Sequence, residues 1–172
     1  MALIAMAGLP GVGKSTIARG LAERFPGVLI NVDDVASALV RAEFERSFAT
    51  GLAGYLVAEQ VARVNLALGS HVIVDAANSA GYARNIWTAL AREFGTELLF
   101  VEVVCTDLAA HAARLATRRL PAGQPRISFD DVVVAYAEAE SWAAEPRWLV
   151  NTTEDVDHDQ VFADVQAALR GY

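Results

Sequence analysis

The sequence predicts an α/β domain with a mainly parallel sheet and helices on both faces. Two observations carry this. Short apolar runs alternate with longer helical stretches along the whole chain, and the first apolar run passes through a glycine-rich turn straight into a helix. The 172 residues suit one domain over 1–172, and a hydrophobic content of 54% supplies a core and argues against disorder.

Leu3–Ala7 reads as a buried strand; the apolar stretch that contains it is too short for a secretory signal and lacks a basic leader. The glycine loop follows, then a helix to about Phe25, stopped by Pro26-Gly27. Val28–Asn31 is a second strand. Val35–Phe48 looks helical, broken by Thr50-Gly51, and Leu52–Leu68 is an apolar helix with Glu59, Gln60 and Arg63 on one side. Val72–Val74 is a third strand, closed by Asp75, and Tyr82–Phe94 a helix stopped by Gly95. Leu98–Cys105 is the fourth strand, with Thr106 able to cap a helix to about Arg119. Pro121, Gly123 and Pro125 mark a loop. Ser128 and Asp131 have capping-box spacing and open a helix to about Ala144. Trp148–Asn151 is the fifth strand, and Asp157 with Gln160 opens the last helix.

The net charge of −7 argues against a nucleic-acid partner, which calls for a basic surplus. The one cysteine, Cys105, closes an apolar run and reads as a buried thiol in a reducing, cytoplasmic setting. No apolar run is long enough for a transmembrane helix, so no membrane partner is expected. His71, His111 and His158 lack metal-ligand spacing and read as surface or helix-end residues, and Trp87, Trp142 and Trp148 read as core.

Gly8-Leu9-Pro10-Gly11-Val12-Gly13-Lys14-Ser15, followed by Thr16, fits the phosphate-binding pattern GxxxxGK[ST]. A triphosphate needs several donors that can approach closely without collapsing on each other. Backbone amides from Gly11 through Val12 and Gly13 to Thr16 can supply them, helped by the positive end of the following helix. Lys14 would bridge the β- and γ-phosphates and Ser15 would ligate Mg²⁺. Of the 14 basic residues 13 are arginine, and the single lysine stands at this position, where a compact ammonium is required.

Asp75 ends an apolar strand, where a carboxylate serves Mg²⁺ directly or through water, or holds a substrate; Asn78 can help orient ligands. Asp33 and Asp34 follow the second strand and face the crevice at the carboxyl end of the sheet. One of them can take the proton of an attacking hydroxyl while the other caps the next helix, and Asp33 is the favoured base. Arg114, Arg118, Arg119 and Arg126 surround the proline-glycine loop, with Arg114 and Arg118 on one helix face. Residues 119–127 therefore read as a short lid that brings guanidinium groups onto a transferring phosphoryl.

Together, GLPGVGKST, the Asp33-Asp34 pair, VIVDAAN and the Arg114/Arg118 spacing resemble the small P-loop kinases, over nearly the whole chain. The likeness is to the group that includes polynucleotide kinase, chloramphenicol phosphotransferase, zeta-type toxins and gluconate kinase. It implies a three-layer P-loop NTPase fold with a parallel five-stranded sheet of order 2-3-1-4-5 and a short lid. It also implies ATP as donor, Asp33 as base, Arg118 as the lid arginine, Arg114 beside the nucleotide, and the loop around Asn151, Thr152 and Thr153 near the adenine. One departure is present. Polynucleotide-kinase-like members often carry an arginine shortly after the acidic pair; here Ala36 and Ser37 stand there, and Arg41 is the next candidate.

The sequence thus points to an ATP- and Mg²⁺-dependent phosphotransferase acting on a hydroxyl of a small molecule. Lys14, Asp33 and Arg118 are the catalytic candidates, and the acceptor is expected near Asp33, Arg41, Asp75, Asn78, Arg84 and the helix from Leu52. Two other readings stand beside it: a 5′-hydroxyl nucleic-acid or nucleotide kinase, and a nucleotide-dependent regulatory ATPase or switch without an acceptor.

Overall fold

A computed structural model describes residues 1–120, 122–142 and 147–170. The elements run β1 (Ala2–Ala7), α1 (Lys14–Arg24), β2 (Gly27–Asn31), α2 (Val32–Arg41), α3 (Phe48–Ala67), β3 (His71–Asp75), α4 (Gly81–Phe94), β4 (Glu97–Val104), α5 (Leu108–Thr117), α6 (Phe129–Glu138), β5 (Arg147–Asn151) and α7 (His158–Arg170). The five strands form one sheet in the order β2-β3-β1-β4-β5, parallel at every pairing. This is the P-loop NTPase arrangement the sequence implied.

The central strand explains why β1 is apolar at every position. Leu3 and Ala5 face one layer, where they join Val72, Val74, Phe100, Leu66 and Trp87; Ile4 and Met6 face the other, with Ile17, Leu21, Val101 and Val165. No residue of β1 is more than 2% exposed. A strand covered on both faces has no solvent side on which to place polar groups. Each fully buried Leu or Ile contributes about 1.5–3 kcal/mol, so this strand anchors both layers.

Several boundaries differ from those expected. α2 begins at Val32 and ends at Arg41, and the break falls at residues 42–47 instead of at Thr50-Gly51. The Ser47 side chain accepts from the Thr50 amide and caps α3, so Thr50 and Gly51 sit in its first turn, where a weak helix former costs little. α5 is capped by Asp107, which accepts from the Ala109 and Ala110 amides, not by Thr106. The Ser128/Asp131 capping box is present, but α6 stops at Glu138; the expected end near Ala144 lies outside the described residues. No helix among the described residues is long and apolar enough to cross a membrane.

Candidate active site

At the end of β1 the chain turns closely over β4. Gly8 has a φ of +127°, and a Cβ there would lie 2.2 Å from the Val103 carbonyl oxygen, so only glycine fits. Its amide donates to Ala77 O at 2.9 Å. The loop is then held from outside by its carbonyls. His111 Nε2 donates to Pro10 O at 2.7 Å, which fixes that ring nitrogen as the protonated one, and Thr152 Oγ1 donates to Val12 O at 2.6 Å. In a trans peptide the N–H points opposite the C=O. Anchoring the carbonyls of Pro10 and Val12 to the protein therefore turns the amides of Gly11 and Gly13 the other way, away from His111 and Thr152. The Thr16 amide, expected to face a phosphate, already donates to Gly13 O at 3.0 Å.

Lys14 Nζ donates to Leu9 O at 2.9 Å, folding the ammonium back over the loop and leaving its remaining protons free to be shared. Lys14, Ser15, Asp33, Asp34, Asp75, Arg114, Arg118, Arg119 and Gln124 line one cleft of about 620 Å³. Burial pushes the Lys14 ammonium down from the usual lysine value, against the pull of Asp75 and Asp33. Removal from water pushes the Asp33 carboxyl up from the usual carboxylate value, although the residue keeps an open face; Lys14 opposes this and Asp75 adds to it. The two groups thus perturb each other within the same cleft. Tyr55, which the sequence did not single out, shares this neighbourhood: its hydroxyl accepts from the Asn78 amide, and burial pushes it up to about 12.

Asn31 organises the carboxylates. Its Oδ1 accepts from the Asp34 amide at 2.9 Å and caps α2, while its Nδ2 donates to Asp75 Oδ2 at 2.8 Å across the paired ends of β2 and β3. Neither aspartate of the pair is the cap, contrary to expectation. Asp34 instead reaches the lid: Gln124 Nε2 donates to Asp34 Oδ1 at 3.2 Å, and Arg118 donates to Gln124 Oε1 at 3.2 Å. Arg41 donates to Ala122 O at 3.2 Å and Arg46 to Gly123 O. The loop expected to be a lid thus lies against α2 and the α2–α3 connection, and Pro121 within it lies outside the described residues.

Four expected ligand contacts take other roles. Asn78 is 0% exposed; its Nδ2 donates to Met6 O and its Oδ1 accepts from Trp87 Nε1, so its side chain is committed to the core. Arg84 is 2% exposed, donates to the Ser79 and Ser141 carbonyls, and lies 4.6 Å from the Trp142 ring centroid, not in the cleft. Arg41 holds the lid. Thr152 is buried and underpins Val12 while accepting from Arg114 at 3.0 Å, so Thr152 braces the phosphate loop and Arg114, which also lines the cleft, braces Thr152. His111, read as a surface residue, is 3% exposed; a histidine on an apolar helix face gave no sign that its partner was a loop carbonyl.

Residues 3–137 match the family model described as AAA domain. The chain belongs to that AAA-domain family, a family of P-loop kinases. The matched span of this AAA-domain protein contains the phosphate loop, Asp33, Asp75 and Arg118. Similar folds occur in a candidate kinase from Chloroflexus aurantiacus J-10-fl (19% identity, 98% of each chain, TM-score 0.78). They also occur in Mycobacterium tuberculosis APS kinase solved with AMPPNP and APS (16% identity, 98% of this chain and 97% of that one, TM-score 0.67). A third is Chaetomium thermophilum Kti12 solved with ADP-AlF3 (19% identity, 97% and 98%, TM-score 0.69). At these identities the likeness establishes the fold. No curated protein is a detectable sequence relative.

Proposed function

We propose that the chain is an ATP- and Mg²⁺-dependent kinase that transfers the γ-phosphate to a hydroxyl of a small molecule. The observation that carries this reading is the joint placement of Lys14, Asp33, Asp75 and Arg118 around one cleft beside the phosphate loop. The complex of the similar APS kinase with AMPPNP and APS supports a fold of this shape holding a nucleotide and a small acceptor together. The overall charge of −7 favours a small acceptor over a polynucleotide.

The residues fit the donor. The loop offers glycine amides and one ammonium, and the oxygen ligands Ser15 and Asp75 suit Mg²⁺, which takes few protein ligands and completes its shell with phosphate and water. Bound there, Mg²⁺ would neutralise charge on the β- and γ-phosphates. Lys14 holds the γ-phosphate in place. Asp33 accepts the proton of the acceptor hydroxyl as its oxygen attacks, and a carboxyl raised above the usual value is a stronger base for that task. Arg118 swings with the lid onto the transferring phosphoryl and offsets its charge. Gln124, bonded to both Arg118 and Asp34, positions that arginine relative to α2.

Calorimetry with Mg-AMPPNP tests the donor half. Wild type should bind saturably and Lys14→Ala should lose most of that affinity with an unchanged circular-dichroism spectrum. Equal affinities would remove Lys14 from the site.

A further inference from the structure

A second cavity, of about 710 Å³, opens on the other side of the phosphate loop from the charged cleft, and the two share only Ala77. Its walls are Leu108 of α5, Phe129, Val132, Val133 and Tyr136 of α6, and Trp142. Three of these are held toward water at apolar cost: Leu108 is 66%, Val133 54% and Tyr136 74% exposed. A cavity of this size with aromatic and aliphatic walls matches the shape and lining of a small-molecule site.

The charged groups along the wall are bonded within the fold: Arg84 donates to the Ser79 and Ser141 carbonyls. Glu102 accepts from Trp142 Nε1 at 3.0 Å and pairs with Arg147 at 3.3 Å. Glu140 accepts from the Gly81 amide at 2.9 Å, and Asn78 is bonded on both sides of its amide. What remains is largely apolar surface whose charged groups, Arg84, Glu102 and Glu140, are already bonded within the fold, which gives phosphates, nucleotides and sugars few partners. We infer that this cavity is a separate binding site for an uncharged, ring-bearing apolar compound. Its occupant would rest against His111, which meets Phe129 edge-on at 5.5 Å between ring centroids and holds Pro10 of the phosphate loop.

Binding in this cavity does not depend on phosphoryl transfer. The probe is the uncharged dye 6-propionyl-2-dimethylaminonaphthalene, whose emission shifts blue and brightens in apolar surroundings. Saturable brightening is expected with wild type. Leu108→Glu, in the first turn of α5 where an acidic residue is tolerated, and Val133→Glu, on the exposed side of α6, should each weaken it by ~10-fold or more, by placing a carboxylate against the dye. Leu68→Glu, at the 77% exposed end of α3, should not change it. Binding should persist in Lys14→Ala, whose side chain does not line this cavity. Thermal melts of each variant separate lost binding from lost fold. No saturable brightening, or an equal loss in Leu68→Glu, or none in either of the two cavity variants, would overturn the site.

Discussion

As the proposed base, Asp33 would trade stability for chemistry. Its folded pKa lies above its unfolded one, so protonation favours the folded state and the ionised carboxylate costs stability at every pH above the folded value. Asp33→Asn should therefore raise the melting temperature near neutral pH, and the gain should disappear as the pH falls below the unfolded carboxylate value of about 4. A lower melting temperature at pH 7 would contradict this. In turnover, protonation of Asp33 should cut activity on the acid side at a pH above that of an ordinary carboxylate. Loss of the Lys14 proton should cut it on the alkaline side below that of an ordinary lysine. Asn78 makes the opposite case. It sits at φ +49° with its side chain bonded to β1 and to Trp87. Asn78→Ala strains the backbone and strands the Met6 carbonyl and the Trp87 N–H in the core. It should cost about 2–4 kcal/mol in urea unfolding. A change under about 0.5 kcal/mol would mean those groups find other partners.

The lid of the proposed mechanism would be positioned by whole elements. The loop after α5 is tied to α2 through Arg41 and the Arg118–Gln124–Asp34 chain, and to the α2–α3 connection through Arg46. Gln124→Ala frees Arg118 without removing its charge. It should lower kcat several-fold with little change in nucleotide affinity, and Arg118→Ala should lower kcat by roughly 10³-fold. Steady-state kinetics separates the two, and an unchanged kcat in both would make the lid a passive loop. The strands and the helix following the phosphate loop were legible because period and punctuation agree there: apolar runs end at Gly8, Pro26-Gly27 and Gly95. The α2–α3 break was not, because Ser47 is an ordinary serine in sequence and a cap only once α3 packs. Nor were the roles of Arg41, Arg84 and Asn78, since which bonds a polar side chain makes depends on long-range neighbours that spacing does not encode.

At the scale of the molecule, two aligned layers and a β2-β3-β1-β4-β5 sheet bring the ends of β1, β2 and β3 together, and the charged residues of the cleft with them. The fold was readable from the phosphate loop and its surrounding pattern; the proposed acceptor would be set by the walls of the cleft, which the motif does not specify. The proposed function turns on phosphoryl transfer. The most direct measurement incubates wild type, Asp33→Asn and Lys14→Ala with γ-labelled ATP, Mg²⁺ and a panel of small hydroxyl compounds, and separates labelled organic products from inorganic phosphate. Wild type should move label onto an organic hydroxyl, Asp33→Asn should still bind Mg-AMPPNP but form no such product, and Lys14→Ala should do neither. Label released only as inorganic phosphate, at a rate that neither the panel nor Asp33→Asn changes, would contradict it and favour a nucleotide-driven switch.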